Sequence, residues 1–381
     1  MPASPSRLRL AVDLRALVPA PTGIGVYTRA LLLELARRDD FEIVGMAHRT
    51  PHFADELGAA GIALEVEPAP LGVIWQQRVL PRRLRRGDLD LFWSPITTLP
   101  WSCPVPSLVT IHDLTAVLLP EMHRFKVRWS VLPFLRRSIE QAAAVLTDSR
   151  ATALEVAFHF PQSAGKLRVV HPGIDPEFRP GEDAAIARTR AELGAPEGYL
   201  LYAGTLEPRK GVGLLLDAWC ALRARDPRTP PLVLCGGEGW KSAALHARIE
   251  GLRAEGLIAL GRVTRERLVE VMQAARVFVY ASVAEGFGLP PAEALACGVP
   301  AVVADATSLP EVVGDAGLKV PSGDAGALAS AVQRLLGDPA LEARLRAAAL
   351  PQAARFRWDT AAAALAEALI AAAGPRSTVR G

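Results

Sequence analysis

The sequence predicts an α/β protein built of two doubly wound, Rossmann-like parallel-sheet domains that face each other across a cleft. The chain has 381 residues, which is too long for one ordinary domain. Apolar runs of strand length alternate with helical stretches along the whole chain, a pattern typical of parallel strands that helices cover on both faces. A segment rich in turn-forming residues at 172–181 predicts the joint between the domains.

The individual elements follow from the same alternation. In the first half, apolar runs predict strands at 8–12, 42–46, 89–93, 107–111 and 144–147, with helices at 28–38 and 129–143. In the second half, strands are predicted at 199–202, 232–235, 257–260, 277–280 and 301–303, with helices near 212–224, 241–254, 265–275, 291–297 and 325–336. We expect a first domain at 1–178, a second at 179–354, and a last helix at 355–374 that packs back on the first.

Composition excludes several classes of protein. The net charge is only +3, so the molecule as a whole is not a polyanion binder, and no nucleic-acid module is visible. The four cysteines are scattered without metal-ligand spacing, which predicts reduced thiols and a cytoplasmic location. The sequence shows neither the apolar core of a signal peptide nor an apolar run long enough to span a membrane.

Basic residues are concentrated in one part of the chain. Residues 71–137 contain ten arginines and lysines but four acids, and the basic segments are Arg78–Arg86 and Arg124–Arg137. The runs 75–86 and 123–129 mix arginines with aromatic residues. This pattern fits peripheral association with the anionic inner face of the plasma membrane, or a lipid-diphosphate acceptor. It fits equally well a solvated, arginine-rich face.

The most informative motif is a pair of glutamates, Glu285 and Glu293, that flank a glycine-rich turn between an apolar strand and a helix ending near Gly298. Free N–H groups at a helix start, with glycines that let a ligand approach, form a phosphate site. Carboxylates beside it can accept hydrogen bonds from sugar hydroxyls, so the motif suggests a nucleotide-sugar site. The turn and helix start contribute Gly286, Phe287, Gly288 and Leu289.

Each glutamate also has a structural explanation. Glu293 is predicted in the first turn of the helix, where an acid is favourable for reasons of the helix dipole alone. Glu285 could cap N–H groups of the loop. Spacing alone does not decide between these roles and ligand binding.

Two adjacent cations, Arg209 and Lys210, follow the predicted strand 199–202 within the segment Gly204–Gly211. Cations at the carboxyl end of a parallel strand can stabilise the negative charge of a departing nucleoside diphosphate. The alternative is a solvated turn before an ordinary helix start. The combination with the Glu285–Glu293 motif favours the functional interpretation.

Three further features carry weaker signals. Gly23 and Gly25 lie in a turn that could present N–H groups to phosphate, or could simply be a tight turn. His112 ends the predicted strand 107–111, where it could contact a sugar or close the strand. Asp88-Leu-Asp90 resembles a metal-binding motif but precedes a strand, so we interpret it as structural and expect no metal site.

Together these motifs resemble the retaining glycosyltransferases of family 4, which have the GT-B fold. The resemblance covers nearly the whole chain through TGIGVYT near the start, TIHDL at 110–114, GTLEPRKG at 204–211, SVAEGFGLPPAEALACGVP at 282–300 and SLPEVVGDAG at 308–317. It implies that Glu293 binds ribose, Glu285 contacts the donor sugar, and Arg209 and Lys210 bind the diphosphate. It further implies that His112 lies beside the sugar and that Gly23 and Gly25 approach the phosphates.

The same resemblance guides the choice of substrate. The residues of the motifs look most like those of mannosyl- and rhamnosyltransferases of bacterial surface-polysaccharide assembly. This resemblance implies a GDP-linked donor, retention of anomeric configuration and no metal or other cofactor. Base-reading backbone is expected near Gly261–Val263, and Gly204 and Gly236 are expected beside the nucleotide. A UDP- or dTDP-sugar donor, and a sugar-nucleotide-binding protein without turnover, remain alternatives.

Overall fold

The computed structural model describes residues 7–19, 22–119, 125–239 and 243–374, with side chains for all of these except 125–131. The chain divides into two compact units, Met1–Gly173 with Arg357–Gly381 and Ile174–Phe356. These divisions differ by a few residues from those expected after 178 and 354. The Ile174 N–H donates to the Phe356 carbonyl (3.1 Å), and this bond holds the two ends of the second unit together.

The first unit is built on a parallel sheet of seven strands. Their order across the sheet is β3-β2-β1-β4-β5-β6-β7. The strands are β1 (Leu8–Asp13), β2 (Phe41–Ala47), β3 (Ala63–Val66), β4 (Leu91–Ser94), β5 (Ser107–Ile111), β6 (Ala144–Thr147) and β7 (Leu167–Val169). The sequence failed to predict β3 and β7, because these short edge strands contain no buried residue and so lack an apolar run.

In the described ranges, seven helices of this unit come before the chain enters the second unit. They are α1 (Gly23–Ala36), α2 (Ala54–Ala59), α3 (Gly72–Ile74), α4 (Leu80–Leu84), α5 (Thr115–Leu118), α6 (Phe125–Gln141) and α7 (Arg150–His159). A π-helical turn, Trp75–Val79, joins α3 to α4. The expected start of the first helix at residue 28 was wrong: Thr22 caps the helix by accepting the Gly25 N–H, so α1 begins at Gly23.

The second unit contains a parallel sheet of six strands in the order β10-β9-β8-β11-β12-β13. The strands are β8 (Leu200–Ala203), β9 (Leu232–Cys235), β10 (Leu257–Gly261), β11 (Val277–Tyr280), β12 (Ala301–Asp305) and β13 (Gly317–Pro321). The edge strand β13 was not predicted, since buried and exposed residues are mixed along it. The helices are α8 (Asp183–Glu192), α9 (Val212–Arg225), α10 (Ala243–Leu252), α11 (Arg265–Ala274), α12 (Leu289–Ala296), α13 (Leu309–Val313), α14 (Ala325–Gly337) and α15 (Pro339–Ala353).

The last helix, α16 (Trp358–Ala373), belongs to the first unit and packs against α1. The ring of Trp358 meets that of Tyr27 edge-on at 6.3 Å. Gly173 is required here, because a Cβ at this position would lie 2.3 Å from the Trp358 nitrogen. The apolar face of α16 thus completes the core of the first unit.

Both sheets reverse their strand order beside their first strand, between β1 and β4 and between β8 and β11. Loops that follow the two strands at such a point diverge, and the crevice that they leave is where ligands bind in sheets of this kind. The predicted class of two doubly wound α/β domains is confirmed. No helix in the described ranges has both the length and the apolar character to cross a membrane.

Candidate functional site

Two glycines end the neighbouring strands β8 and β9 in the second unit. The Gly204 N–H donates to the Cys235 carbonyl (2.9 Å), and a Cβ on Gly236 would lie only 1.9 Å from the Gly204 oxygen. Both residues have positive φ angles, +148° and +156°. The carboxyl edge of the sheet therefore presents bare backbone beside the reversal point, as a closely approaching ligand requires.

The loop after β8 packs directly on the loop after β11. Gly211 has φ +69°, and a Cβ there would lie 2.0 Å from the Ala281 carbonyl oxygen. The Arg209 carbonyl accepts hydrogen bonds from the Val283 N–H (3.0 Å) and the Ser282 hydroxyl (3.2 Å). Two motifs more than 70 residues apart in sequence are thereby fixed as one surface.

Lys210 and Glu285 form an ion pair across these two loops. The Lys210 Nζ lies 2.6 Å from Oε1 and 2.8 Å from Oε2 of Glu285, which is 9% exposed. The Tyr280 hydroxyl donates to the same Oε1 (2.8 Å), and an Arg209 nitrogen lies 3.7 Å from Oε2. Arg209 itself donates to the Ala284 carbonyl (2.6 Å) and to Glu207 (3.1 Å).

This environment keeps Glu285 ionised. Burial acts to raise its pKa, but the charges of Lys210 and Arg209 and the hydrogen bond from Lys210 outweigh burial and lower the pKa below its ordinary value. The pKa of Tyr280 is raised well above its usual range by burial and by the charge of Glu285, so its hydroxyl stays a donor. The cluster is a fixed negative centre beside two cations.

Helix α12 begins directly beyond this cluster, with Pro290 and Pro291 in its first turn as expected. Gly288 precedes the helix with φ +102°. Within the described ranges, the N–H groups of Gly288 and Leu289 have no hydrogen-bond acceptor, so both remain available to an anion. The helix starts two residues before the predicted 291, and Gly298 follows its end with φ +76°.

Glu293 lies in the second turn of α12, and its expected position in the first turn was wrong. The half-buried carboxylate makes no hydrogen bond or ion pair in the part of the chain that the structure describes. Burial raises its pKa to about 7, with Arg265 acting in the opposite direction and Asp175 in the same one. An unpartnered carboxylate that burial disfavours is suited to accept hydrogen bonds from a ligand.

Phe287 and Val263, two further predicted contacts of the nucleotide, also follow strands at the carboxyl edge of the sheet. The Phe287 side chain points away from it and packs edge-on against Phe356 at 5.0 Å, in a small apolar cluster. Only the backbone of Phe287 is therefore placed for binding. Val263 follows β10, half-buried against the core, close in sequence to Gly261 at the strand end.

In the first unit, His112 follows β5 and has both ring nitrogens engaged. Its Nδ1 lies 2.6 Å from Oδ2 of Asp148, and its Nε2 lies 2.7 Å from the Pro95 carbonyl oxygen. Two acceptors favour the doubly protonated ring: burial lowers the pKa of His112, but Asp148 more than compensates and the pKa is raised. The edge of Tyr27 packs on the ring at 5.3 Å.

The two glycines of the first unit lie inside the start of α1 rather than in a loop before it. The Gly25 N–H is used by the Thr22 cap (3.3 Å), and Gly25 is buried, so that a Cβ there would lie 3.0 Å from the Ala16 carbonyl oxygen. Gly23 is the first residue of the helix and is exposed. Of the pair, Gly23 is the better placed to meet an anion.

Sequence reasoning missed four residues that hold these sites together. Tyr280 donates a hydrogen bond to the candidate carboxylate of Glu285, and Asp148 contacts the candidate histidine, His112. Thr307 accepts the Glu285 N–H (2.9 Å) in a backbone conformation with φ +45°, and Ser308 donates to the carbonyls of Glu285 and Phe287. Ser308 is the first residue of the segment 308–317 quoted for the family resemblance and Thr307 directly precedes it, which was the one available signal.

The Asp88-Leu-Asp90 motif and the basic segment Arg124–Arg137 are the two remaining features singled out from the sequence. Asp88 forms ion pairs with Arg83 (2.6 Å) and Arg9 (3.0 Å), which hold its pKa at about 2. The described residues contain no cluster of three or more metal-ligating side chains. Of the second basic segment, Arg124 and the side chains of Lys126 and Arg128 lie outside what the structure describes.

Comparison with known proteins matches both units to glycosyltransferase family models. The family model for glycosyltransferase family 4 matches residues 21–178, and the model for glycosyl transferases group 1 matches residues 197–338. The chain is 35% identical to the O-antigen chain mannosyltransferase B of Escherichia coli over 89% of its own length and 93% of that protein. It is 35% identical to a D-inositol 3-phosphate glycosyltransferase of Streptomyces bingchenggensis, over 59% of this chain and 52% of that one.

Solved structures show the same fold at low sequence identity. HepE of Anabaena, solved in complex with UDP and glucose, superposes with a TM-score of 0.75 at 20% identity and covers 96% of this chain and 100% of its own. WaaG, a glycosyltransferase involved in lipopolysaccharide biosynthesis, gives 0.74 at 16% identity over 94% and 99% of the two chains. The expected GT-B fold class is thus confirmed, and the chain belongs to glycosyltransferase family 4.

Proposed function

We propose that this glycosyltransferase moves a hexose, mannose or a deoxyhexose, from a GDP-linked donor to a hydroxyl of a glycan or lipid-linked acceptor in bacterial surface-polysaccharide assembly. The observation that carries the proposal is the combination of the Lys210–Glu285 pair with the unpartnered carboxylate of Glu293 on the adjoining helix. The similarity to an O-antigen mannosyltransferase over most of both chains supports the choice of sugar.

The donor would bind along the carboxyl edge of the second sheet. Its diphosphate would meet Arg209, Lys210 and the N–H groups of Gly288 and Leu289, which together supply positive charge and directed donors. Two vicinal ribose hydroxyls would donate to the carboxylate of Glu293. The bare backbone at Gly204 and Gly236 leaves room for the nucleotide, and backbone near Val263 would read the base.

The proposed reaction retains the anomeric configuration. In it, cationic side chains rather than a metal ion stabilise the negative charge of the leaving diphosphate. The bond between the anomeric carbon and the diphosphate oxygen breaks, and Arg209 and Lys210 stabilise the charge that develops on the leaving group. The acceptor oxygen attacks the same face of an oxocarbenium-like state, and its proton passes to the leaving phosphate oxygen. Glu285, held ionised by Lys210, would stabilise the positive sugar and hold its hydroxyls.

We further propose that the chain works at the inner face of the plasma membrane, where a lipid-linked acceptor would be presented. The support is the exposed arginine surface of the first unit, and the segment Arg78–Arg86 in particular. His112, which Asp148 keeps charged, remains a predicted contact of the transferred sugar.

The test is a panel of GDP, UDP, dTDP and ADP in calorimetry and thermal denaturation, each with and without magnesium. A nucleotide at about 100 times its dissociation constant should stabilise the protein by about 2.7 kcal/mol. Selective stabilisation by GDP that does not depend on magnesium is the expected result. No response to any nucleotide would reject the donor site.

A UDP-linked donor is the second candidate, because the structural neighbour HepE was solved with UDP and glucose. Preference for UDP in the panel would favour it over the GDP donor. A non-catalytic sugar-nucleotide-binding protein is the remaining alternative. Transfer by the wild type, with a Glu285→Ala variant that binds donor but transfers nothing, would exclude it.

A further inference from the structure

Three arginines of the first unit stand out because none has an acidic partner. Arg78, Arg82 and Arg85 are all exposed, and none of their side chains makes an ion pair or hydrogen bond within the described ranges. Their neighbour Arg83 behaves differently: it is buried and forms short ion pairs with Glu65 and Asp88. The buried Arg83 is thus paired with acids, and the exposed Arg86 lies 4.0 Å from Glu67, whereas the charges of Arg78, Arg82 and Arg85 are not compensated.

The three arginines line one groove together with an exposed tryptophan. The groove has a volume of about 390 Å³, and its wall contains Arg78, Arg82, Arg85 and Trp101. Trp101 is 54% exposed, although tryptophan is a side chain that folding normally covers. The face is therefore both cationic and aromatic.

Trp101 is held in this exposed position from both sides. The backbone N–H of Trp101 donates to the Gln77 side-chain oxygen (2.7 Å), and the Trp101 carbonyl accepts from Arg137 Nε (2.7 Å). The preceding carbonyl, of Pro100, accepts from Gln141 (2.5 Å). The guanidinium of Arg137 also stacks over the indole ring at 4.5 Å from its centroid.

We propose that Arg78, Arg82, Arg85, Arg137 and Trp101 form a surface that docks the first unit on an anionic phospholipid membrane. Arginines would bind lipid phosphates, which they match in charge and geometry. The indole, apolar with one polar N–H, suits the boundary between headgroups and acyl chains. This inference deepens the proposed function, on which it rests for the location of the acceptor.

Charge complementarity decides in favour of a membrane over a soluble phosphate. Three uncompensated cations on one open groove attract a surface that carries many negative charges more strongly than a single small anion. A pinned, half-exposed indole adds nothing to the binding of a free phosphate, but it gains apolar burial at a lipid interface.

The experiment measures binding to vesicles of phosphatidylcholine with phosphatidylglycerol, and to vesicles of phosphatidylcholine alone, by flotation. We expect binding to the anionic vesicles that weakens with added salt, and little binding to the neutral ones. The triple variant Arg78→Gln/Arg82→Gln/Arg85→Gln should bind anionic vesicles roughly 100-fold more weakly. Trp101→Ala should also weaken binding, and lipids brominated in their acyl chains should quench the tryptophan fluorescence of wild type more strongly than that of Trp101→Ala.

The matched control is Arg188→Gln/Arg334→Gln/Arg344→Gln, which removes the same charge from exposed arginines of the second unit that also have no ion pair in the described ranges. It should bind vesicles as wild type does. Equal weakening by both triple variants, unchanged binding by the first, or displacement of the protein from vesicles by inorganic polyphosphate with no effect of Trp101→Ala would overturn the proposal.

Nucleotide affinity, measured on the same variants, separates this inference from the proposed function. The groove variants should keep the wild-type affinity for the nucleotide, because none of the substituted residues lies in the second unit. Vesicle binding without any nucleotide binding would reject the donor site and leave the docking surface standing.

Discussion

The ammonium of Lys210 lies 2.6 Å from one carboxylate oxygen of Glu285 and 2.8 Å from the other, so two groups 75 residues apart in sequence neutralise each other. Both side chains are largely shielded from water. The pair holds the lysine in place. In the proposed donor site, a diphosphate that binds Lys210 would compete with Glu285 for the N–H groups of the ammonium, so the pair would also limit how much binding energy the donor gains there.

Breaking this pair from one side should destabilise the protein. We expect Lys210→Met or Glu285→Gln to lower the free energy of unfolding by about 3–5 kcal/mol, because each leaves a buried group without its partner. The double variant should lose less than the sum of the two. Urea unfolding of all four proteins measures the coupling, with Arg228→Met as a control on the exposed Arg228–Asp226 pair, where we expect no measurable change.

The same pair makes part of the stability depend on pH. Because the pKa of Glu285 is lowered from its ordinary 4.5, its contribution is fully present above pH 4.5 and is lost as the pH falls through the lowered value. The difference in unfolding free energy between wild type and the double variant should be constant above pH 4.5 and change below it. A difference that changes between pH 5 and pH 8 instead would contradict the assignment.

Glu293→Gln should stabilise the free protein while it weakens donor binding. The pKa of Glu293 is raised from 4.5 to about 7, so the folded protein resists its ionisation and loses stability as the pH rises from 4.5 to 7. Unfolding at pH 8 should show the variant to be about 1–3 kcal/mol more stable, with little difference at pH 4. Calorimetry should show weaker nucleotide binding at pH 8.

Asp148→Asn should lower the pKa of His112. The wild-type pKa is raised above 6.5 by the carboxylate, so the stabilisation from the charged ring is complete below pH 6.5 and is lost as the pH rises through the raised value. NMR titration of the His112 ring should show protonation above pH 6.5 in wild type and at lower pH in the variant. A wild-type ring that titrates below 6.5 would show that it is neutral in its pair.

Gly236→Ala should damage both stability and donor binding, since the new Cβ would collide with the Gly204 carbonyl in a backbone conformation that alanine disfavours. We expect a loss of about 2–5 kcal/mol in urea unfolding. The control is Gly213→Ala in α9, where a Cβ meets nothing within 4 Å and the helix should gain stability. Nucleotide affinity should fall only in the Gly236 variant.

The accuracy of the strand and helix boundaries predicted from the sequence depends on the kind of element. Buried central strands such as β8 and β11 were predicted within a residue, because every residue in them is buried and the apolar run is continuous. The edge strands β3, β7 and β13 were missed, because partial exposure breaks up the apolar signal. Helix α1 starts five residues before its predicted start, since its glycine-rich first turn was interpreted as a loop.

The two-domain α/β class and the candidate groups Glu285, Glu293, Arg209 and Lys210 could be identified from the amino-acid sequence, because local motifs and alternating apolar runs carry that information. Which of these groups contact one another could not be predicted without the folded structure. The contacts of Glu285 with Lys210 and of His112 with Asp148 join different strand ends, which become neighbours only after parallel strands assemble in a particular order. Protonation and pairing at these sites follow from that order and from burial, neither of which is a local property of the chain.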